Sequence, residues 1–322
     1  MSHLPRLPAA VAAPPAEVPI TAELVAALLG DQHPDLAGLA LRAAAEGWDN
    51  VIFQLGDELC VRLPRRALAA PLLLKELDIV PGLARRLAAA GVDIGLPEPV
   101  RRGRPGRGYP WDWSVCRWTE GTSGLEVASS DRAAAVPQLA AFLTALHAEA
   151  PADAPANPFR DGGLDSIDAP IRERLARVAG RPDAAALRAL WDRLRVTAPL
   201  DRPRRWVHGD LHPGNLLFAP DGSLAAVVDF GDLCAGDPAV DLACTWQLFG
   251  PADRARFRSL LGSPPGRGPH GDDGPAYDGG CWQRAAGWAL HFGLLSVATE
   301  GNDPAFERNG EDTLAALLED FA

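Results

Sequence analysis

Ten consecutive residues, Trp206-Val207-His208-Gly209-Asp210-Leu211-His212-Pro213-Gly214-Asn215, and the later run Val227-Val228-Asp229-Phe230-Gly231 hold the side chains best suited to chemistry. Asp229 follows an apolar pair, Asn215 lies fourteen residues before it, and Asp210 five before that. An amide oxygen and a carboxylate are hard donors of the kind Mg²⁺ prefers, and Mg²⁺ fills its octahedron with water or phosphate oxygens. A second carboxylate on the same loop, free of the metal, can orient an attacking hydroxyl and accept its proton. With cations to offset charge, these are the requirements of phosphoryl transfer. A His-Gly-Asp triplet alone arises by chance in loops; the spaced Asn and strand-borne Asp carry the reading.

The elements that must position these groups change character along the chain. Residues 39–45, 51–55 and 59–63 read as short strands, separated by Gly47-Trp48-Asp49-Asn50 and Gly56-Asp57-Glu58, which predicts an antiparallel meander. A helix is expected over 71–90, a Gly/Pro/Arg-rich loop over 101–110 and a strand over 113–117. Helices are expected over 133–148, 170–194, 281–298 and 311–321, with a loop-rich block at 206–243. Strands first and helices afterwards predict an α+β protein of two lobes meeting near residues 118–121. Residues 1–19 read as a flexible Ala/Pro-rich tail, 20–120 as an N-lobe, 121–322 as a C-lobe, and 261–280 as a mobile surface loop.

Composition narrows the function classes. With 47% apolar and 23% charged residues and no long apolar run, the chain is expected to be globular and not membrane-spanning. Its start lacks the features of a signal peptide, so a cytoplasmic location is expected. A net charge of −11 argues against nucleic acid as partner and is compatible with a cationic acceptor. The cysteines Cys60, Cys116, Cys234, Cys244 and Cys281 lack zinc spacing and read as reduced core residues. Lys75 is the only lysine.

The block at 206–231 resembles the catalytic and metal-binding segments of the aminoglycoside phosphotransferase family, relatives of the protein kinases. The family pattern His-Gly-Asp-x-x-x-x-Asn is complete, and Gly236-Asp237-Pro238-Ala239-Val240-Asp241 fits as well. The resemblance implies a protein-kinase-like fold, Asp210 as catalytic base, and Asn215 and Asp229 as Mg²⁺ ligands. It gives His208 a bracing role and Asp241 the task of hydrogen-bonding the catalytic loop.

A kinase also needs a strand-three cation for the α- and β-phosphates, paired with a helix carboxylate. Arg62, flanked by Val61 and Leu63, is the expected cation and Glu76 its partner. Lys75 is the alternative, although neighbours one apart on a helix do not face the same way. No strict G-x-G-x-x-G occurs. Gly47 and Asn50, where the phosphate-covering turn belongs, are residue types able to adopt positive φ and bring backbone N–H groups to phosphate; on spacing alone a plain hairpin turn is the alternative. Residues 109–121 resemble strand five and the hinge, which places the base of ATP or GTP at the backbone of Trp118 and Thr119.

The short path from Asp229 to Asp237 leaves no room for a peptide platform, so a small-molecule hydroxyl acceptor is expected. An aminoglycoside or macrolide, hence a role in antibiotic resistance, comes first; a sugar or amino-alcohol metabolite is the alternative. Asp232, Glu307, Glu311 and Asp312 are candidate contacts to a polycation or plain surface charges. A monomer or homodimer is expected. A different class, a nucleotide-binding scaffold without turnover, is motivated by the missing strand-three lysine and opposed by the intact Asp210, Asn215 and Asp229.

Overall fold

The computed structural model describes residues 15–160, 163–201, 203–262 and 277–322. It opens with α1 (Ala22–Gln32), capped by the Thr21 hydroxyl, which accepts the Leu24 N–H. Then come β1 (Leu41–Glu46), β2 (Asn50–Leu55), β3 (Leu59–Pro64), α2 (Ala70–Ala89), β4 (Pro99–Gly103) and β5 (Trp113–Arg117). The five strands form one antiparallel sheet in the order β1-β2-β3-β5-β4. Strand alternation sorts its residues: Phe53, Leu55, Val61, Leu63, Trp113 and Val115 cluster with Val25, Leu28 and Leu29 of α1. Burying each such side chain contributes roughly 1.5–3 kcal/mol. The opposite register, with Ile52 paired to Arg62 and Arg62 to Ser114, faces the cleft.

Beyond Arg117 lie β6 (Thr122–Ser123), α3 (Ala135–Leu146), α4 (Asp168–Arg177), α5 (Ala184–Leu194), β7 (Arg205–Val207), β8 (Leu216–Phe218), β9 (Leu224–Val227) and β10 (Cys234–Gly236). The helices α6 (Ala239–Leu242), α7 (Cys244–Leu248), α8 (Pro251–Gly262), α9 (Gly279–Ala298) and α10 (Pro304–Phe321) complete the chain. Small sheets β6-β8-β9 and β10-β7 carry the catalytic segments, backed by a helical core in which α9 packs on α4, α5, α6, α7 and α10. Gly95, between α2 and β4, donates to the Ala225 carbonyl (2.8 Å) and accepts from the Val227 N–H (3.0 Å), stitching the first sheet's connection to β9. A Cβ there would lie 2.6 Å from Thr119 Oγ1, so the close approach requires glycine.

The α+β, kinase-like architecture is as expected, with four local departures. Helix α1 was not anticipated, and β4 occupies the start of the expected 101–110 loop. The expected helix over 170–194 is two helices, because Gly180 and Pro182 interrupt it: Pro cannot donate within a helix. The last helix starts at Pro304, seven residues before the expected 311. Of the expected tail, residues 1–14 lie outside the described residues, while Glu17 is tied down through its N–H to the Arg65 carbonyl (2.9 Å). The centre of the expected 261–280 loop also lies outside them, and its ends belong to α8 and α9. All five cysteines are buried. Among the described residues no helix is long and apolar enough to cross a membrane.

His291 on α9 is buried against Trp288, with ring centroids 5.7 Å apart. Burial, reinforced by the Arg174 and Arg160 cations, pushes its pKa down to about 3. Because the folded pKa lies below the unfolded one, the unfolded state binds the extra proton. Stability is therefore full above about pH 6.5 and is lost as the pH falls toward about 3, with a slope of at most about 1.4 kcal/mol per pH unit. His291→Gln should flatten the fall of the melting temperature between pH 7 and pH 5; an unchanged slope would rule out this titration as its source.

Candidate functional site

The catalytic loop hangs from a fully buried carboxylate. Asp241 on α6 accepts the His208 N–H on Oδ2 and the Gly209 N–H on Oδ1, both at 2.8 Å. The same Oδ2 accepts from His147 Nε2 (3.0 Å), whose Nδ1 meets the Tyr277 hydroxyl at 2.9 Å. Gly209 has φ +86°, and a Cβ there would lie 2.8 Å from the Asp232 carbonyl oxygen, so the loop passes only because residue 209 is glycine. His208 Nε2 donates to the Val228 carbonyl (3.1 Å) and Nδ1 accepts the Asp210 N–H (3.3 Å). With both nitrogens committed to backbone, His208 braces the loop.

Asp210 is consequently aimed into the cleft. Its Oδ1 lies 3.1 Å from Arg160 Nη2, and its Oδ2 lies 3.5 Å from His212 Nε2 and 3.4 Å from Asn215 Nδ2. Burial pushes this carboxyl up, but His212 first, then Arg160 and His208, outweigh it and hold the pKa well below the usual carboxylate range. The group is therefore an ionised acceptor for a hydroxyl proton.

Asn215 donates Nδ2 to the Asp210 carbonyl (2.9 Å), which turns its Oδ1 toward the cavity. The Val228 N–H donates to the Asn215 carbonyl (3.0 Å) and so joins the segments that carry Asn215 and Asp229. Asp229 has φ +63°, a left-handed conformation costing a non-glycine residue roughly 1–2 kcal/mol, which Asp tolerates better than most. That twist sends its carboxylate into the cavity lined by Asn215. Among the described residues no cluster of three or more His, Cys, Asp or Glu side chains forms a metal cage. Two oxygen donors facing open space fit a Mg²⁺ ion that takes its other ligands from phosphate and water.

Arg62 on β3 and Glu76 on α2 form a buried two-pronged pair, with Nη2 to Oε1 at 3.2 Å and a second, shorter contact from Nη1 to Oε2. Burial opposes the arginine charge, but Glu76 more than compensates, and Arg62 remains a cation lining the same cavity as Asn215 and Asp229. Lys75 does not line that cavity. Burial lowers its pKa, and its strongest opposing interaction is with Asp232.

The turn after β1 is the plain hairpin of the two alternatives. Neither Gly47 nor Asn50 has positive φ, and the Gly47 N–H is spent on the Asn50 carbonyl (2.9 Å). Arginine side chains fix the turn in place of left-handed residues. Arg65 binds the Gly47 carbonyl (2.8 Å) and Glu46 (2.5 Å), while Arg66 binds Asp49 (2.6 Å) and lies over the Trp48 ring. Gly47 and Asn50 still line the cavity, as do Trp118 and Thr119. The Trp118 N–H is spent on the Glu58 carbonyl (2.8 Å), whereas the Trp118 carbonyl and Thr119 N–H have no partner among the described residues.

A second cavity opens on the other side of Asp210. Trp48, Asp49, Asp210, His212, Asp229 and Phe306 line both. Of the four acids that were candidate polycation contacts or plain surface charges, Asp232 lines this second cavity and Glu307, Glu311 and Asp312 do not. Glu311 is instead paired with Arg181. Sequence reasoning missed Arg160, Asp49, His212 and Phe306. Asp49 and His212 sat inside quoted motifs, whereas Arg160, on a loop fifty residues before Asp210, had no signal.

Comparisons with known proteins agree with this geometry. The chain is 33% identical over 219 residues to a homoserine kinase of Methylocella silvestris, covering 63% of this chain and 62% of that protein. It is 30% identical over 128 residues to a homoserine kinase of Caulobacter sp., covering 38% and 37%. The chain thus spans less than two thirds of the length of these curated relatives. Among solved structures, the GDP complex of aminoglycoside 2'-phosphotransferase-IIIa superposes with a TM-score of 0.62 at 18% identity, covering 92% of this chain and 98% of that one. A macrolide 2'-phosphotransferase from Brachybacterium faecium superposes with a TM-score of 0.56 at 21% identity, covering 92% and 98%. These likenesses show the fold. The profile of the phosphotransferase enzyme family, APH, matches residues 40–273, and the chain belongs to that family.

Proposed function

We propose that this chain is a Mg²⁺-dependent phosphotransferase that moves the γ-phosphoryl of ATP or GTP directly to a hydroxyl of a small molecule. The observation that supports it is the meeting of two cavities at Asp210 and Asp229, one lined by Arg62 and Asn215, the other open to an acceptor. The unpartnered Trp118 carbonyl and Thr119 N–H are available to the base, and Arg62, set by Glu76, to the α- and β-phosphates. Asn215 Oδ1 and Asp229 would hold Mg²⁺, which when bound offsets charge on the phosphoryl oxygens. Asp210, kept ionised by the cations around it, orients the acceptor hydroxyl and receives its proton as the hydroxyl oxygen bonds to phosphorus.

Two acceptor classes follow from the similar proteins. Structures sharing the fold include complexes with kanamycin and gentamicin, which motivates an aminoglycoside or macrolide acceptor. The sequence relatives named homoserine kinases motivate a compact hydroxy amino acid. The acceptor cavity favours the second class, because its one non-catalytic acid beyond the turn, Asp232, is already paired with Arg160 (3.2 Å). A polycation would find few free carboxylates there.

The test is transfer from ATP and GTP with Mg²⁺ across a panel of kanamycin, a macrolide and L-homoserine, read by product mass. A product heavier by one phosphate is expected, with Asp210→Ala lowering turnover about 10²- to 10⁴-fold while nucleotide binding persists. Nucleotide binding with neither transfer nor Asp210-dependent hydrolysis would instead identify a binding protein. On the donor side, Arg62→Ala should weaken nucleotide binding by about 10- to 100-fold, with partial recovery in Arg62→Lys. Lys75→Ala should change nucleotide affinity less than about twofold; a larger loss there than at Arg62 would reverse the assignment of the phosphate-binding cation.

A further inference from the structure

Arg160 occupies the acceptor side of the catalytic carboxylate. Its Nη2 lies 3.1 Å from Asp210 Oδ1 and 3.2 Å from Asp232 Oδ2, so one guanidinium nitrogen bridges both acids. Asn157 fixes the second acid by donating Nδ2 to Asp232 Oδ1 (3.0 Å), and accepts the Phe159 N–H (3.0 Å), which shapes the loop carrying Arg160. The guanidinium lies 5.5 Å from the Phe292 ring centroid. Among the described residues its buried Nε has no hydrogen-bond partner, and Nη1 reaches only the neighbouring Phe159 carbonyl at 3.5 Å. A guanidinium has five N–H donors, so this one has donors to spare at the edge of the cavity that Leu72, Leu295 and Phe306 also line.

The arrangement has two chemical consequences. An acceptor hydroxyl approaching Asp210 meets a fixed cation beside the oxygen it must reach. A cationic acceptor group would have to displace Arg160 from Asp232 and leave an arginine charge in a partly apolar cavity, a costly exchange. A carboxylate gains instead. The planar fork of arginine matches a carboxylate in a two-pronged contact, and drawing the guanidinium toward it releases Asp210 for the hydroxyl and Asp232 for a nearby ammonium.

We infer that Arg160 is the specificity-determining residue of the acceptor site, where it recognises a carboxylate on the hydroxyl-bearing substrate. This inference rests on the proposed phosphotransferase reading and narrows its acceptor to small hydroxy acids, above all those with an amino group that Asp232 can take. The same contact selects against polycationic sugars.

The experiment measures binding separately from turnover. Calorimetry in the presence of Mg²⁺ and a non-hydrolysable ATP analogue compares the hydroxy amino acid of the panel with 3-aminopropan-1-ol, the same chain without its carboxylate. The intact protein should bind the carboxylated probe at least tenfold more tightly. Arg160→Gln should abolish that preference and Arg160→Lys should keep part of it, while all three proteins bind the ATP analogue alike. Equal affinity for the two probes in the intact protein, a preference that survives Arg160→Gln, or no binding of either probe would overturn the inference. Failure of the phosphotransferase reading shows independently, as the absence of Asp210-dependent transfer to any acceptor.

Discussion

One buried carboxylate, that of Asp241, fixes the geometry on which everything else depends. It receives two consecutive backbone N–H groups of the catalytic loop and a histidine nitrogen, using both oxygens as acceptors. An amide in its place would set an N–H against an N–H, and leaving a buried donor without a partner costs roughly 1–3 kcal/mol. The helix that carries Asp241 is itself held: Asp237, four residues earlier, is bound by Arg284 of the central helix α9 at 2.5 Å. The chain of support therefore runs from the helical core through α6 to the loop, and only then to Asp210 and Asn215. No step depends on a bound ligand, so the loop is shaped before the substrates arrive.

The cleft is organised by arginine. Arg62 ties β3 to α2, Arg65 and Arg66 tie the end of β3 to the turn that borders both cavities, and Arg160 ties the acceptor loop to the catalytic one. Each contact joins segments distant in sequence, and Arg62 and Arg65 use two guanidinium nitrogens at once, which a point charge could not do. In an acidic chain these cations gather around the cleft, which offsets locally the repulsion that the net charge of −11 would exert on an anionic ligand. Buried ion pairs add little net stability, so their use here is positional.

What the sequence disclosed followed from how local each signal was. The catalytic block was legible because Asp210, Asn215 and Asp229 lie within twenty residues and their spacing is fixed by a loop and a short strand pair. Helix α1 had a readable signature in the Thr21 cap followed by Leu24, Val25, Leu28 and Leu29, but nothing in it pointed to chemistry. The break between α4 and α5 was masked by apolar periodicity running through it, although Gly180 and Pro182 marked it. Spacing alone left positive φ at Gly47 and Asn50 open beside a plain hairpin; arginine side chains hold the hairpin, and positive φ occurs at Asp229, where the chain bends sharply after β9. Arg160 was invisible in one dimension: its role exists only because a loop between α3 and α4 folds back over Asp210.

The replacement of a strand-three lysine by Arg62 also decides how the protein will answer chemical labelling. Nucleotide reagents that acylate a lysine amine beside the phosphates have no such amine in this cavity. The chain's single lysine, Lys75, does not line that cavity, and its strongest attraction is to Asp232. The same guanidinium keeps its charge in alkaline conditions where an ε-ammonium loses its proton, so on the proposed reading the grip on phosphate would not fade as the pH rises.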